Sequence, residues 1–149
     1  YQMLGKKIDN TLGQEGKPSM IEGLNILDVD TVLTTTKTLT RVLAKHPTSG
    51  INFEGYEIHI GKTKGNDCDK PFAIVNNENE GAVSENGCVM GSYLHGMFKN
   101  NGFRSNFLNK IGFKSSSLDY SKNVDQSLNN FADFLEENID VSEIFDKAF

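Results

Sequence analysis

Residues 53–63 read FEGYEIHIGKT and alternate between apolar and polar side chains along most of their length. A period of two residues is typical of a β-strand that turns one face toward a core, so we expect a strand here. Residues 24–36, LNILDVDTVLTTT, are rich in β-branched side chains and alternate in the same way. The middle of the chain is therefore predicted to form a sheet.

Three shorter segments that follow these strands also have strand character. Residues 72–75 and 81–84 are short apolar runs, and residues 88–94, CVMGSYL, form a third candidate strand. Just before this third strand stands an Asn-Gly pair, which supplies the two positive φ angles of a type I′ turn. We therefore expect a tight hairpin centred on Asn86 and Gly87.

The last third of the chain has the longer period of helices. Residues 103–111 have a helical pattern. Farther on, five apolar residues recur at spacings of three and four: Val124, Leu128, Phe131, Leu135 and Ile139. Asn123 and Asp140 begin capping-box-like sequences, with Gln126 and Glu143 three residues on, and this pattern predicts two helix starts.

Strands come first in this chain and helices last, which predicts an α/β protein with helices packed against a mixed sheet. The helices over 103–111 and 124–137 would then cover one side of that sheet. Phe131 and Leu135 lie on the apolar stripe of the second helix, so we expect their side chains to be buried.

Composition excludes several classes of protein. The chain has 149 residues, a net charge of −5 and 37% apolar residues, which fits one globular domain. No apolar run is long enough for a membrane span, no signal peptide is visible, and the acidic balance argues against a nucleic-acid partner. Two cysteines, Cys68 and Cys88, make no disulfide framework and indicate free thiols in a reducing cytoplasm.

The three histidines stand in different settings. His46 precedes Pro47 in a polar linker, which favours a surface position. His59 alternates with Glu57 on one face of the predicted strand, where a structural hydrogen bond is the simplest role. His95 stands where a strand ends and Gly96 lets the backbone turn. Strand ends of α/β proteins approach ligands, and histidine is the usual proton shuttle near neutral pH, so His95 is a candidate general base.

Neither a phosphate-binding loop nor a metal site is predicted. Residues 61–63 read GKT, but the glycine that a phosphate-binding loop needs five residues earlier is replaced by Tyr56. The histidines and cysteines lack the short paired spacing of a zinc site.

Four segments, taken in order and spacing, resemble a known family. They are YQMLG (1–5), EGLNILDVDTVLT (22–34), FEGYEIHIGKT (53–63) and NGCVMGSYLHGMF (86–98). Together they resemble the C-terminal glutamine amidotransferase domains of adenosylcobyric acid synthases, the cobalamin-pathway enzymes, and the resemblance runs over the whole chain. The GYEIHIG segment separates the chain from the related cobyrinic acid a,c-diamide synthases. Glutaminase subunits of lipid II isoglutaminyl synthases have a similar segment at this place, but with a different amino-acid sequence.

The resemblance implies a class I, triad-type glutaminase with a flavodoxin-like α/β fold. In that family the nucleophilic cysteine lies on a sharp strand-to-helix elbow in the pattern C-x-G-x-Q, and Gln2 matches the final Gln. The nucleophile would then stand three residues before Tyr1. Residues 1–149 are therefore expected to be a partial domain without its first strands and nucleophile elbow, and neither Cys68 nor Cys88 replaces the nucleophile.

The resemblance also implies roles for individual residues. His95 matches the family's catalytic histidine. Ordinary triad enzymes carry a Glu two residues after that histidine. The resembled family lacks this Glu, and in this chain the position is Met97. Gln2 would contact the glutamine substrate, and His59 and Gly61 fall near the place where related glutaminases bind its amino-acid end.

The implied partners are glutamine, a corrinoid substrate and an upstream ATP-dependent synthetase domain of the same polypeptide that uses Mg-ATP. No cofactor is expected in this chain itself, and residues 1–149 alone are expected to lack glutaminase activity. Two alternatives stay open, namely the glutaminase of a lipid II isoglutaminyl synthase-like ligase and a non-catalytic docking or regulatory domain. Loss of the first strands would expose sheet edge and apolar surface, which predicts self-association.

Overall fold

The computed structural model describes residues 1–114 and 119–148, and it confirms the predicted α/β class with a mixed sheet and C-terminal helices. The strands are β1 (Lys7–Asn10), β2 (Ser19–Glu22), β3 (Asp30–Lys45), β4 (Asn52–Lys64), β5 (Ala73–Val75), β6 (Glu78–Glu80), β7 (Ala82–Val83), β8 (Met90–Gly91) and β9 (Leu94–His95). The α-helices are α1 (Asn101–Lys110), α2 (Tyr120–Asn138) and α3 (Val141–Ala148).

The main sheet is built around the long β3–β4 hairpin. Its described strands follow the order β2-β1-β3-β4-β9. Outside this order, β5 pairs with both β3 and β6. Only the β1–β3 pairing is parallel among the described strands, with Lys7 opposite Asp30. Strands β7 and β8 pair separately as a small hairpin.

The predicted strand over 24–36 is correct only in part. β3 begins at Asp30 and runs on to Lys45, whereas the residues before Asp30 form a loop. Leu27 and Val29 are buried in that loop and alternate with less buried neighbours, which gives the period of a strand without its hydrogen bonds. The Leu27 N–H instead donates to the Leu4 carbonyl at 2.9 Å.

The β3–β4 hairpin has one covered face and one uncovered face. On the covered face Val42, Ala44 and Phe53 are buried, and the Phe103 ring of α1 lies 4.5 Å from that of Phe53. The uncovered face is defined by Leu39, Leu43 and Tyr56, which are 63%, 64% and 46% exposed.

The predicted type I′ turn at Asn86 and Gly87 is wrong. Only Gly87 has a positive φ, of 71°, and its N–H donates to the Ser84 carbonyl, so the loop is longer than two residues. The two-residue turn with both φ positive occurs instead at Asn76 and Asn77, between β5 and β6. Asparagine tolerates this conformation better than other side chains, which explains how a turn can form there without glycine.

The helices begin at polar caps, as expected, although one start was misplaced. Asp140 accepts a hydrogen bond from the Glu143 N–H at 2.9 Å and so begins α3 as predicted. The predicted start of α2 at Asn123 is wrong, because Asp119 accepts from the Lys122 N–H and the helix begins at Tyr120.

The predicted burial of Phe131 is wrong. α2 forms and is amphipathic, but Phe131 is 59% exposed and Leu135 only half-buried. A contact between the Tyr120 N–H and the Asn101 side chain holds α2 near its first residue. The apolar side of α2 therefore has no cover among the described residues.

Neither α2 nor any other described helix has the length and apolar content needed to cross a membrane.

Candidate active site

His95 lies at the last position of β9, directly opposite Tyr56 of β4. Residues in register on neighbouring strands share a face of the sheet, so His95 belongs to the uncovered face. Its side chain is exposed. Gly96 follows with a φ of 78° and ends the strand, as the glycine in the sequence predicts.

A depression of about 470 Å³, which we call the His95 cleft, is lined by His95 together with Met97, Phe98, Arg104 and Tyr120 among others. Met97 occupies the position where ordinary triad enzymes have Glu, and it packs against the core cluster that contains Leu94. Within the described parts of the chain, no hydrogen bond involves the His95 imidazole. Side-chain hydrogen bonds from the described residues therefore do not fix the orientation of this ring.

A second depression of about 300 Å³, which we call the His59 pocket, lies beside β4. His59 Nδ1 is 2.6 Å from the Gly61 carbonyl oxygen, and Nε2 is 2.9 Å from Glu57 Oε1. The ring also stacks on Tyr93, with centroids 4.4 Å apart. His59 is therefore fixed on three sides, in agreement with the structural hydrogen bonding predicted for it.

Gln2 reaches this same region from a short 3₁₀ turn, Gln2–Leu4. A Cβ atom on Gly61 would lie 3.1 Å from Gln2 Nε2 and 2.8 Å from the Thr31 methyl group. Only a residue without a side chain lets the Gln2 amide approach β4 this closely. Gln2 and Gly61 are therefore neighbours, and Gly61 has a steric reason to be glycine.

Hydroxyl groups link the strands in the wall of the His59 pocket, which Glu80 also lines. The Tyr93 hydroxyl lies 2.6 Å from Thr63 Oγ1, which lies 2.7 Å from Thr31 Oγ1. Glu80 is only 8% exposed, and desolvation raises the pKa of its carboxyl group. Sequence reasoning missed both Tyr93 and Glu80. Glu80 was missed because it lies in a segment of polar residues that is typical of a loop.

The four predicted site residues fall into two groups. Gln2, His59 and Gly61 lie together, whereas His95 lines the other depression. Successive residues of a strand point to opposite faces, so His59 and Glu57 lie on the face opposite Tyr56 and His95. In the described part of the chain, no residue lines both depressions.

The two cysteines have surroundings unlike those of a nucleophile. Cys68 is half-buried 3.8 Å from the Tyr1 hydroxyl, and burial raises the pKa of its thiol, which lowers the thiolate fraction. Burial likewise raises the pKa of Tyr1. Cys88 is exposed in the β7–β8 hairpin loop. Neither cysteine lines the His95 cleft.

The predicted surface position of His46 is correct only in part, because its side chain is half-buried. Its ring lies 5.4 Å from Phe103 and 5.8 Å from Phe72, and Nδ1 is 2.8 Å from Ser49 Oγ. His46 thus packs on the core from the β3–β4 turn, and polar neighbours in the sequence concealed this.

Within residues 1–114 and 119–148, no group of histidine, cysteine and carboxylate side chains is arranged to hold a metal ion.

A mixed sheet followed by helices, with an exposed histidine where an edge strand turns at a glycine, defines an α/β domain with a candidate site at a strand end. Over residues 1–103 the chain matches the family described as the CobB/CobQ-like glutamine amidotransferase domain. The chain belongs to this family.

Curated relatives extend the match through the helices. The chain is 49% identical over 142 residues to a cobyric acid synthase of Cereibacter sphaeroides, and 49% identical over 144 residues to one of Rhodobacter capsulatus. These alignments cover 95% and 97% of this chain and 30% of each relative. A cobyric acid synthase of Bradyrhizobium diazoefficiens is 43% identical over 148 residues, which is 99% of this chain and 31% of that relative. The chain thus spans about 30% of the length of the relatives it matches.

Proposed function

We propose that this domain is part of the glutamine-hydrolysing unit of an amidotransferase that supplies ammonia for ATP-dependent amidation of corrinoid carboxylates in cobalamin biosynthesis. The observation that carries the proposal is the identity of 49% with cobyric acid synthases, which extends across 95% of the chain. The exposed His95 at the end of β9 supports it from the structure.

The reaction that this proposal assigns to the site is nucleophilic catalysis. A cysteine thiolate attacks the side-chain amide carbon of glutamine, backbone N–H groups stabilise the oxyanion, and a thioester forms as ammonia leaves. His95 takes the thiol proton and delivers it to the departing ammonia. It then takes a proton from the water that hydrolyses the thioester to glutamate.

The nucleophile in this proposal comes from outside residues 1–149. The pattern C-x-G-x-Q, with Gln2 as its last member, puts the cysteine three residues before Tyr1 in the longer polypeptide. The environments of Cys68 and Cys88 are consistent with spectator roles, so residues 1–149 are proposed to be inactive on their own.

Substrate contacts would come from the residues near the His59 pocket. The Gln2 amide next to Gly61 offers both a donor and an acceptor to a glutamine molecule. His59, held by Glu57 and stacked on Tyr93, would stand near the amino-acid end of the substrate. The ammonia would pass to an N-terminal synthetase domain, which activates the corrinoid carboxylates as phosphates with Mg-ATP.

The test is His95→Ala in the full-length protein, with glutamine and added ammonia as alternative nitrogen sources. We expect glutamine-dependent amidation to fall by about 10²–10⁴-fold or more, because the general acid–base group is lost. Amidation from ammonia should remain within about twofold of the wild-type rate, since free ammonia bypasses every step that needs the imidazole.

Lys17→Ala is the control, because Lys17 is exposed in the loop between β1 and β2 and lines neither depression. Near-normal use of glutamine by the His95→Ala protein would overturn the catalytic role. Equal loss of both activities would assign His95 a structural role. A residue other than cysteine three places before Tyr1 would favour a non-catalytic docking or regulatory domain.

A further inference from the structure

Glu80 stands out because a carboxylate is costly to bury and this one is only 8% exposed. It ends β6 and lies beside the segment that leads into β9. Its Oε1 accepts the backbone N–H of Tyr93 at 2.7 Å, and its Oε2 accepts the Ser92 hydroxyl at 2.8 Å. Both oxygens are therefore engaged with two consecutive residues of one short segment.

The hydrogen bonds continue toward His95. Ser92 Oγ, which donates to Glu80, accepts the backbone N–H of Leu94 at 3.0 Å. Leu94 is 3% exposed and pairs with Glu57 of β4. Three consecutive residues before His95 are thus fixed by one carboxylate, either directly or through one hydroxyl group.

Tyr93 is anchored independently of Glu80 on its side-chain end. Its ring stacks on His59 and its hydroxyl lies 2.6 Å from Thr63 Oγ1. The Tyr93 backbone N–H, in contrast, is held by Glu80, while its carbonyl accepts the Ile58 N–H at 3.1 Å. Removal of the carboxylate should therefore loosen the backbone that carries His95 while the wall of the His59 pocket stays in place.

We propose that Glu80 is the positioning residue for His95, because its buried carboxylate fixes the backbone from which the imidazole projects. The proposal rests on the proposed glutaminase function. It answers a question that the site leaves open, since Met97 stands where ordinary triad enzymes place an orienting Glu and packs instead against the core.

A direct contact of Glu80 with substrate is the competing role, since Glu80 also lines the His59 pocket. Both of its oxygens, however, already accept hydrogen bonds from the protein, and Glu80 is not part of the His95 cleft lining. A positioning residue affects kcat for glutamine, whereas a substrate contact affects the KM for glutamine. The two roles are therefore separable by steady-state kinetics.

The experiment compares Glu80→Ala, Glu80→Asp and Glu80→Gln in the full-length protein, with Glu85→Ala as the control for loss of an exposed carboxylate. Glutamine-dependent and ammonia-dependent amidation are measured for each protein. Glu80→Gln keeps an acceptor for the Tyr93 N–H and a donor for Ser92 Oγ, so it should retain glutamine-dependent kcat within about threefold. Glu80→Asp withdraws both oxygens by one methylene, and Glu80→Ala removes them.

For the Asp and Ala proteins we expect glutamine-dependent kcat to fall at least about tenfold, with the KM for glutamine and the ammonia-dependent rate within about twofold of wild type. Hydrogen exchange in the peptide that contains Tyr93 and Leu94 should accelerate, while exchange in α1 stays unchanged. This measurement needs no activity.

Unchanged kcat in the Asp and Ala proteins would overturn the positioning role, as would a raised KM with normal kcat. If Glu80→Ala fails to fold, Glu80→Asp decides the question by the same criteria. Failure of the proposed function is distinguishable, because it would appear as glutamine use that survives His95→Ala, whatever the Glu80 variants do.

Discussion

His46 shows how far one residue can depart from its sequence context. It follows a strand, precedes Pro47 and has polar neighbours, yet its ring packs on Phe103 and Phe72. Desolvation lowers its pKa from the ordinary value of 6.5, and the nearby charge of Lys110 acts in the same direction. The core that the ring touches thus disfavours the charged form of this histidine.

This burial predicts a pH dependence of stability. Because the folded-state pKa lies below the unfolded one, the unfolded chain binds more protons as the pH falls through about 6.5. The contribution of His46 to the free energy of unfolding is therefore fully present above about pH 6.5, and it is lost as the pH falls below that value. Urea denaturation between pH 7.5 and 5.5 should show a shallower decline in His46→Asn than in wild type. Identical pH profiles in the two proteins would contradict the burial of His46.

Gly61 carries a second prediction at this scale. A methyl group there would meet the Thr31 methyl group at 2.8 Å and Gln2 Nε2 at 3.1 Å, so Gly61→Ala should destabilise the domain by about 1–3 kcal/mol. The full-length protein should also show a raised KM for glutamine. Gly102→Ala is the control, because its nearest neighbour would be 3.4 Å away and alanine should stabilise α1 by up to about 1 kcal/mol.

Sequence reasoning singled out His95 and Gly61 as candidates but not Glu80. A histidine before a glycine at a strand end is visible in a single sequence, because both features are local. The partners of Glu80 are Ser92 and Tyr93, 12 and 13 residues away, and their proximity depends on the pairing of strands. No local pattern distinguishes this buried carboxylate from its exposed neighbours.

At the scale of elements, β4 was predicted closely and β3 was not. The period of two in β4 coincides with pairing to β3 along Asn52–Lys64, which is interrupted by a bulge in β3 between Leu33 and Thr38. In the loop before β3, burial of Leu27 and Val29 produced the same period without a strand. Similarly, α2 was predicted as a helix but Phe131 was not predicted to be exposed. Periodicity reports which side of an element is apolar, and it does not report what covers that side.

The cap of α1 makes an element-scale prediction. Asn100 Oδ1 accepts the Phe103 N–H at 2.8 Å and so satisfies a free donor in the first turn. Asn100→Ala should lower the free energy of unfolding by about 1 kcal/mol. Asn100→Asp should stay within a few tenths of wild type, because it keeps the acceptor and places a negative charge at the helix N-terminus. Chemical denaturation checks both values, and equal loss in the two variants would exclude a capping role.

For the whole molecule, two apolar surfaces of the described residues face solvent. One is the uncovered face of β3–β4, and the other is the side of α2 that carries Leu128 and Phe131. Large contiguous apolar surfaces favour association. The second surface is the side of α2 that the sequence predicts to be buried.

We therefore expect this chain, expressed alone, to self-associate. Its average mass in sedimentation equilibrium should rise with protein concentration. Leu43→Lys combined with Phe131→Lys should lower that mass, and it should change stability little, because both side chains are more than half exposed. A wild-type chain that stays monomeric at every concentration would contradict this expectation.

The edge position of β9 has a consequence for the size of any molecule that touches both histidines. β9 forms one edge of the described sheet, and His59 and His95 lie on opposite faces beside it. Backbone hydrogen bonds close the sheet itself, so a ligand in contact with both side chains has to pass around this edge. Neighbouring strands lie about 4.8 Å apart, so one further strand outside β9 would lengthen the detour by about that distance on each face. Because no described strand lies outside β9, the path from one face to the other passes this edge strand alone.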